Sequence, residues 1–505
     1  MLALLLVAVA LAACGSGGDE KSSGSDTLTI GIGQELASLN PGVDGGTSGA
    51  GFILYLPYAT LVTKDAETGE YGPGLAEKFG YIGEGNTVFE MTLRSGVKYA
   101  DGTPMDAAAV KAWLDYFPNA GGGFSKLLDI DSVEAVDDRT VRINLATPSP
   151  LMMENLSGPW GMVIAPEALK DPAQLAKGAP GAGPYAYDPA SVVTGKGATY
   201  TLVPNEFYFD QEAIKWDKVV IKVIEDPATR LRALQAGQLD VATGNVGTLD
   251  SAEKAGFSTS VSSWGWSGVT LLDAEGARTR ALGDVRVRQA LNYALDRKAI
   301  TESLFEGAVE PTSELSSPDG FVPELQDYYD YDPAKAKALL ADAGYPDGFT
   351  MGIVAPNFGT LTGSPLTQAI AQNWADVGVK LKVVEVGTNA ELFEKYQTQS
   401  ALILDYADSP MSIVADNRFT KGGSFNAFGV EDSVVTRLYD ESLRASPERL
   451  TELSQQMTRH IVQQGYLAPI ALRPQILFSA GNVTGVEAKP YQLQSPVVLG
   501  WSPTS

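Results

Sequence analysis

Histidine and cysteine each occur only once in the 505 residues. A single histidine excludes a zinc site built from several histidines, and a single cysteine excludes a disulfide within the chain. His460 lies beside Met457 and Ile461 in a segment with helical periodicity, where a lone histidine is more typical of packing or the surface than of catalysis. The fold must therefore be stable through its core alone, and the chain is long enough for a large one.

Motifs for nucleotide binding and for common hydrolases are also missing. No G-x-x-x-x-G-K-[ST] or G-x-G-x-x-G loop occurs, so nothing indicates a nucleotide cofactor. No G-x-S-x-G elbow occurs to present a catalytic serine, and the S-x-x-K match at Ser95–Lys98 lacks its partner motifs. We expect no cofactor. With 61 acidic residues, a carboxylate pair of the glycosidase type stays open.

Long apolar runs are missing as well, except at the beginning of the chain. Leu2–Ala13 is apolar throughout but too short to span a bilayer as a stable helix. It ends in Leu11-Ala12-Ala13-Cys14-Gly15, which resembles the lipobox of bacterial lipoproteins, although no Lys or Arg precedes the run. We therefore expect residues 1–14 to be a lipoprotein signal peptide, Cys14 to carry lipid, and residues 15–26 to form a flexible tether. The alternative is an ordinary secretory segment.

Positive charge is scarce relative to negative charge. The 37 basic and 61 acidic residues give a formal net charge of -24. Such a surface repels a phosphate backbone, so we expect no nucleic-acid partner. Acidity of this kind commonly keeps an exported protein soluble.

Strand and helix patterns alternate along the rest of the chain. Phe89, Met91 and Leu93 alternate with polar residues as in a half-buried strand, and so do the residues from Val141 to Leu145. Helix starts are marked by Thr103-Pro104, Asp226-Pro227, Asp332-Pro333, Ser364-Pro365 and Ser446-Pro447. This alternation predicts a mixed α/β protein with layered sheets.

Five stretches, in order along the chain, resemble the family 5 extracellular solute-binding proteins of ABC transporters, the peptide/nickel-binding group. They are LTIGIGQELASLNP, PGLAEKFGYIGEGNTVFEMTLRSGVKYADGTPMDAAAVKAWLDYF, GAGPYAY, RLRALQAGQLDVA and DVRVRQALNYALDRKAI. The second is the most specific, because it follows the family signature nearly throughout. The resemblance extends from about Leu28 to the C-terminus.

The resemblance implies a two-lobed clamp of the periplasmic-binding-protein type, with three subdomains. Subdomain I would take 27–57, 184–270 and 484–505, subdomain II would take 58–183, and lobe III would take 271–483. The chain would cross between lobes near 268–273 and 480–485. Gly268, Gly481 and Gly485 are candidates to absorb the hinge rotation.

Two segments supply the candidate ligand contacts. Trp264 and Trp266 precede the expected crossing, where indoles present flat apolar surface, although both residues would fit equally well in the core. In peptide-binding relatives an aspartate in a segment similar to Leu402–Pro410 pairs with the ligand's α-ammonium. This implies roles for Asp405, Tyr406 and Asp408.

Several alternatives and departures qualify these assignments. Asp408 precedes Ser409-Pro410 and would also suit a helix cap. Arg418 and Asn426 are further candidates, for a ligand carboxylate or amide. An aliphatic residue replaces the family's usual tryptophan before the Asp405 segment. Metal-binding members of the family often use a histidine in this region, and because none occurs between 300 and 450, the resemblance implies no metal ligand here.

We therefore expect a lipid-anchored, monomeric substrate-binding component of an ABC importer on the outer face of the bacterial cytoplasmic membrane. It would capture a small organic solute, foremost a peptide, by hinge closure, without any enzymatic step, and deliver it to a membrane permease. The alternatives are a surface lipoprotein hydrolase that uses a carboxylate pair, and a receptor that reports a solute to a membrane partner.

Overall fold

Capping residues and prolines start most of the longer helices of the computed structural model. The model describes residues 27–45, 50–122, 128–188, 190–193, 197–357, 361–491 and 497–504. The predicted signal peptide, Cys14 and the tether lie outside these residues. Within them, no helix has both the length and the apolar character needed to cross a bilayer.

The helices are α1 (Pro41–Asp44), α2 (Ala50–Ile53), α3 (Ala107–Tyr116), α4 (Met152–Ser157), α5 (Pro172–Leu175), α6 (Pro227–Gln235), α7 (Val246–Lys254), α8 (Val285–Tyr293), α9 (Arg297–Phe305), α10 (Pro333–Asp342), α11 (Ser364–Ala375), α12 (Asn389–Lys395), α13 (Met411–Phe419), α14 (Ser433–Ser442) and α15 (Pro447–Gln463). The strands are β1 (Thr27–Ile32), β2 (Val62–Lys64), β3 (Tyr71–Pro73), β4 (Ala76–Tyr81), β5 (Val88–Leu93), β6 (Ile130–Ala135), β7 (Thr140–Leu145), β8 (Tyr185–Tyr187), β9 (Thr199–Pro204), β10 (Lys218–Val223), β11 (Val241–Thr243), β12 (Ser258–Leu271), β13 (Phe349–Pro356), β14 (Val379–Val386), β15 (Ala401–Tyr406), β16 (Leu467–Ser479), β17 (Val483–Thr484) and β18 (Ser502–Pro503).

Local capping chemistry correctly located several helix starts. Asp226, Asp332 and Ser446 accept hydrogen bonds from backbone amides of the first turns of α6, α10 and α15. The expected start at Thr103-Pro104 is wrong: α3 begins at Ala107, and Asp106 is its cap. Pro104 forms a β-bridge with Lys98 instead, which holds this segment extended until Asp106.

A mixed ten-stranded sheet runs in the order β14-β13-β15-β12-β16-β11-β1-β10-β9-β8, which confirms the predicted α/β class. Its central strands, β12 and β16, are 14 and 13 residues long. The first half of β12 pairs only with the second half of β16, whereas Trp266–Leu271 pairs with β15 on its other side. These two strands thus join the half of the sheet built on β1 to the half built on β13.

Separate cores lie on the two halves. Leu28, Trp113 and Trp501 belong to one, and Val269 and Trp374 to another. A four-stranded antiparallel sheet, β4-β5-β7-β6, packs into the first core and comes wholly from residues 76–145. The predicted subdomain boundaries stay a prediction.

Candidate functional site

A bulge in β12 sets the positions of the two candidate tryptophans. The ladder with β16 shifts register between Ser263 and Trp266. Gly265 within the bulge has φ +84°, and a Cβ there would lie 1.8 Å from the carbonyl oxygen of Tyr406. Only glycine fits a left-handed backbone at such close approach.

The bulge separates the surroundings of the two indoles. Trp266 is 4% exposed, and its ring centroid lies 4.2 Å from that of Tyr406, so it packs in the core. Trp264 is half-buried, and the Arg473 guanidinium lies 4.8 Å from its ring centroid. Of the two tryptophans, Trp264 therefore has the more accessible face.

Asp405 lies near the end of β15, directly opposite Ser267 of β12. Its Oδ1 accepts a hydrogen bond from the Ser267 hydroxyl, and its Oδ2 accepts one from the Leu361 amide at 3.2 Å. Arg473 is also close enough for its charge to act on the carboxylate. Two neutral donors from different elements thus fix the orientation of this half-buried side chain.

Asp408 is not the cap of the helix that follows it. The amide of Met411, the first residue of α13, donates to Asp319 at 2.9 Å, so Asp319 takes the role that the sequence allowed for Asp408. The Asp408 carboxylate accepts hydrogen bonds from the Ser316 side chain and the Gly265 backbone amide. Its Oδ1 is buried and has no hydrogen-bond partner among the described residues.

Glu314, which belongs to the segment before α10, lies close to Asp408. Its carboxylate accepts hydrogen bonds from the amides of Ser316 and Val322, and Ser316 has the left-handed φ of +52° that this arrangement needs. Burial raises the pKa of Glu314 to about 7, and the charge of Asp408 adds to the rise. Burial also raises the pKa of Asp408 to about 7, against the lowering effect of its donors and of Lys64 and Arg473.

A second wall faces these residues from the first half of the chain. Lys64 Nζ lies 2.7 Å from Glu154 Oε2, and the Tyr71 hydroxyl donates to the same oxygen at 2.6 Å. The lysine ammonium also lies 4.8 Å from the ring centroid of Tyr491. Since the lysine side chain is only 2% exposed, the ion pair is deeply buried.

A cavity of about 200 Å³ lies between the two walls. Its lining includes Lys64, Tyr71, Glu154 and Tyr491 on one wall and Pro318, Asp319, Pro410 and Leu450 on the other. The walls also touch directly, because the Asn86 amide donates to the carbonyls of Leu443 and Ala445 at 3.2 and 2.9 Å. The described structure is therefore closed at this point.

A second cavity, of about 220 Å³, is lined in part by four of the residues predicted from sequence, namely Trp266, Asp405, Tyr406 and Arg418. The Arg418 guanidinium stacks 4.5 Å from the Tyr406 ring centroid and donates to Thr270 at 3.1 Å.

Asn426 is a buried residue of the loop that follows α13. It is 8% exposed, and its amide bonds the backbone of Thr420 and Val430 at 2.7–3.0 Å, which holds its own loop together. The loop thus uses both the donor and the acceptor atoms of this amide, and a contact of Asn426 with a ligand stays a prediction.

His460 is part of a structural contact. Its Nε2 lies 2.8 Å from Asp432, which also accepts a hydrogen bond from the Tyr466 hydroxyl at 2.8 Å. Within the described part of the chain, no group of three His, Cys, Asp or Glu side chains is placed to hold a metal ion.

Comparison with known proteins identifies the family. The model described as bacterial extracellular solute-binding proteins, family 5 Middle, matches residues 70–416. The chain belongs to this family. A family 5 protein is a substrate-binding component of an ABC importer rather than an enzyme, which decides against the hydrolase alternative.

The relatives of this family 5 protein include glutathione-binding proteins GsiB. The protein from Salmonella paratyphi A is 26% identical over 441 residues, covering 82% of this chain and 83% of the relative. The protein from Pectobacterium atrosepticum is 31% identical over 324 residues, which is 61% of this chain and 60% of the relative. The structure of AgaA from A. tumefaciens R10, in complex with agropinic acid, shares the fold with a TM-score of 0.76 at 23% identity and covers 95% of this chain and 99% of AgaA.

Sequence reasoning missed several residues of this candidate site, namely Lys64, Tyr71, Glu154, Glu314, Arg473 and Tyr491. Arg473 carried a usable signal, because a cation directly after the apolar run Ile470-Ala471-Leu472 is unusual within a buried strand. Lys64 carried a weaker signal, because it follows Leu61, Val62 and Thr63 in a short, largely buried strand. We find no such signal for Glu154 or Tyr491, because their partners are distant in sequence.

Proposed function

We propose that this family 5 protein captures a short peptide by its α-ammonium group, closes on it, and delivers it unchanged to a membrane permease. The observation that carries the proposal is the Asp405 carboxylate, which lines a cavity in a fixed orientation. A carboxylate held in advance by neutral donors gains a short, charge-assisted bond when an ammonium group binds, and closure excludes water from it.

Asp405 has the surroundings that such a contact needs. The Ser267 hydroxyl and Leu361 amide hold both carboxylate oxygens, so little conformational entropy is lost on binding. Tyr406 and Arg418 line the same cavity, where a stacked guanidinium suits a carboxylate or peptide carbonyl of the ligand. Because glutathione has one ammonium group and two carboxylates, the names of the GsiB relatives are consistent with this ligand class.

Closure would proceed by rotation of one half of the sheet against the other. The sequence suggested Gly268 as part of the hinge. Gly268 lies at a second register shift of the ladder with β16, between Ser267 and Gly268, but it is paired with a strand on each side. The register shift at Ser263/Trp266, with Gly265 at positive φ, is better suited to rotation because fewer backbone pairs must break. A ligand that contacts both halves would favour the closed state.

The anchor would hold a monomer beside its permease on the outer face of the cytoplasmic membrane. Support comes from the apolar run and lipobox ending at Cys14. Metabolic labelling of expressing cells with a radioactive fatty acid tests this. We expect label in the full-length chain and none in a Cys14→Ser variant, and equal labelling of the two would contradict the anchor.

The ligand class is tested by thermal unfolding of the full-length chain in detergent with matched probes. The probes are Ala-Ala, glutathione, agropinic acid and N-acetyl-Ala-Ala, in which acetylation removes the ammonium charge. A ligand at one hundred times its Kd adds about 2.7 kcal/mol to the free energy of unfolding. We expect Ala-Ala to raise the Tm and its acetylated form to leave it unchanged. An equal response to both, or none to any probe, would contradict the proposal.

A further inference from the structure

Asp408 and Glu314 form a buried carboxyl pair that the proposed ammonium contact at Asp405 does not use. Ser316 bridges the two, since its amide donates to Glu314 and its side chain bonds Asp408. The left-handed backbone of Ser316 allows both contacts, although such a conformation is unfavourable for a residue with a side chain. The strain is consistent with a constrained binding segment rather than a free loop.

One carboxylate oxygen of this pair lacks a partner. Oδ1 of Asp408 is buried without a hydrogen bond in the described residues, while Glu314 receives its donors from backbone amides. A buried acceptor left unpaired costs free energy, and a bound group that donates to it recovers that cost. Asp408 is also free of the capping role, which Asp319 performs for α13.

The charges around the pair are unbalanced. The guanidinium of Arg473 interacts electrostatically with the carboxyl groups of both Asp405 and Asp408. The ammonium of Lys64 interacts in the same way with Asp408, but it already forms an ion pair with Glu154. Tyr491 also faces Asp408 across the cleft, and its pKa is raised by burial and by the charges of Asp408, Glu154 and Asp319. Two cations thus stand near five carboxyl groups, those of Glu154, Glu314, Asp319, Asp405 and Asp408. A cation at Asp408 would be balanced by ionisation of a carboxyl group that is partly protonated in the empty site.

We propose that Asp408, supported by Glu314, is a second cation subsite that binds an ammonium or guanidinium group of the ligand other than its α-ammonium. The inference rests on the proposed function and makes it narrower: the preferred peptide has a basic side chain. Asp408 would contact this group through Oδ1 and remain bonded to Gly265 and Ser316.

Binding at this subsite is coupled to proton release. Because burial raises the pKa of each carboxyl group to about 7 in the empty site, both groups are partly protonated near neutral pH. A cation favours the ionised form, so the bound state holds fewer protons than the empty one. Affinity for a basic peptide should therefore rise between pH 6 and pH 8.

The test is calorimetric titration of the full-length chain in detergent with two pairs of dipeptides, Lys-Ala with norleucyl-Ala and Ala-Lys with Ala-norleucine. Norleucine keeps the four-carbon stem of lysine and lacks its ammonium. We expect at least one lysine peptide to bind about tenfold or more tightly than its norleucine partner at pH 8, with a smaller ratio at pH 6. Asp408→Asn should bring the ratio to about one, and Asp327→Asn, at an exposed aspartate of the same lobe, should leave it unchanged.

A second measurement uses only the wild-type chain, so its outcome does not depend on whether a variant folds. Titration of the wild-type chain at pH 7 in phosphate and in Tris, which differ in ionisation enthalpy, measures the protons released. We expect release with the lysine peptide and none with the norleucine peptide. Equal affinities within both pairs, or a lysine preference that survives Asp408→Asn, would overturn the second subsite while peptide binding stands. If none of the four peptides binds, the proposed function itself fails.

Discussion

The ammonium of Lys64 lies 2.7 Å from the carboxylate of Glu154, and the two charges are almost completely shielded from solvent. Lys64→Met would leave the Glu154 carboxylate buried without its cation. Losing one partner of a buried ion pair typically costs about 3–5 kcal/mol. We expect a loss of this size in the free energy of urea unfolding. The double variant Lys64→Met/Glu154→Leu should recover most of it, and a single variant as stable as wild type would contradict this role.

Gly265→Ala tests the bulge in β12. Its Cβ would clash with the Tyr406 carbonyl and would also stand on a left-handed backbone, so we expect a loss above about 2 kcal/mol in the free energy of unfolding. Gly429→Ala is the matched control, since Gly429 has φ +67° but no described atom within 4 Å of its Cβ position. The control should lose about 1 kcal/mol. Equal losses at both positions would mean that the close approach to Tyr406 costs nothing.

The raised pKa of Asp408 makes the empty protein less stable at high pH. Its pKa is about 7 in the folded state and lower in the unfolded state. At pH values between these two pKa values, the folded state therefore binds more protons than the unfolded state. Stability is therefore lost as the pH rises through this window, and the loss is complete above pH 7. Asp408→Asn should gain on the order of 2 kcal/mol over wild type at pH 8 and less at pH 5. Urea unfolding at both pH values measures this, with Asp327→Asn as the control. A gain independent of pH would contradict the raised pKa.

Contacts within a few residues were predictable from sequence, and contacts made by tertiary packing were not. Asp226, Asp332 and Ser446 were recognisable as caps because each bonds an amide three residues ahead. Lys64 and Glu154 are 90 residues apart, and only the packing of α4 against β2 brings them together. For Asp408 the sequence permits both a ligand contact and a helix cap, and only the hydrogen bond of the Met411 amide to Asp319 excludes the cap.

Asn86→Ala tests the contact between the two walls. The variant loses both hydrogen bonds to the C-terminal end of α14, worth about 0.5–1.5 kcal/mol each. We expect the ligand-free chain to open, seen as a larger radius of gyration in solution scattering. Asn144→Ala is the control, because the side chain of Asn144 bonds Ser132 and Glu134, both within its own four-stranded sheet, in the part of the chain that the structure describes. The same radius of gyration in both variants would contradict the contact's role in closure.

Calorimetric titration of wild type and Asp405→Asn with Ala-Ala tests the central claim most directly. The substitution keeps the shape of the side chain and removes the charge that is proposed to hold the ligand's ammonium. We predict that Ala-Ala binds wild type and loses about 2–5 kcal/mol of binding free energy in the variant. Equal affinity of Ala-Ala for the two proteins would contradict the account.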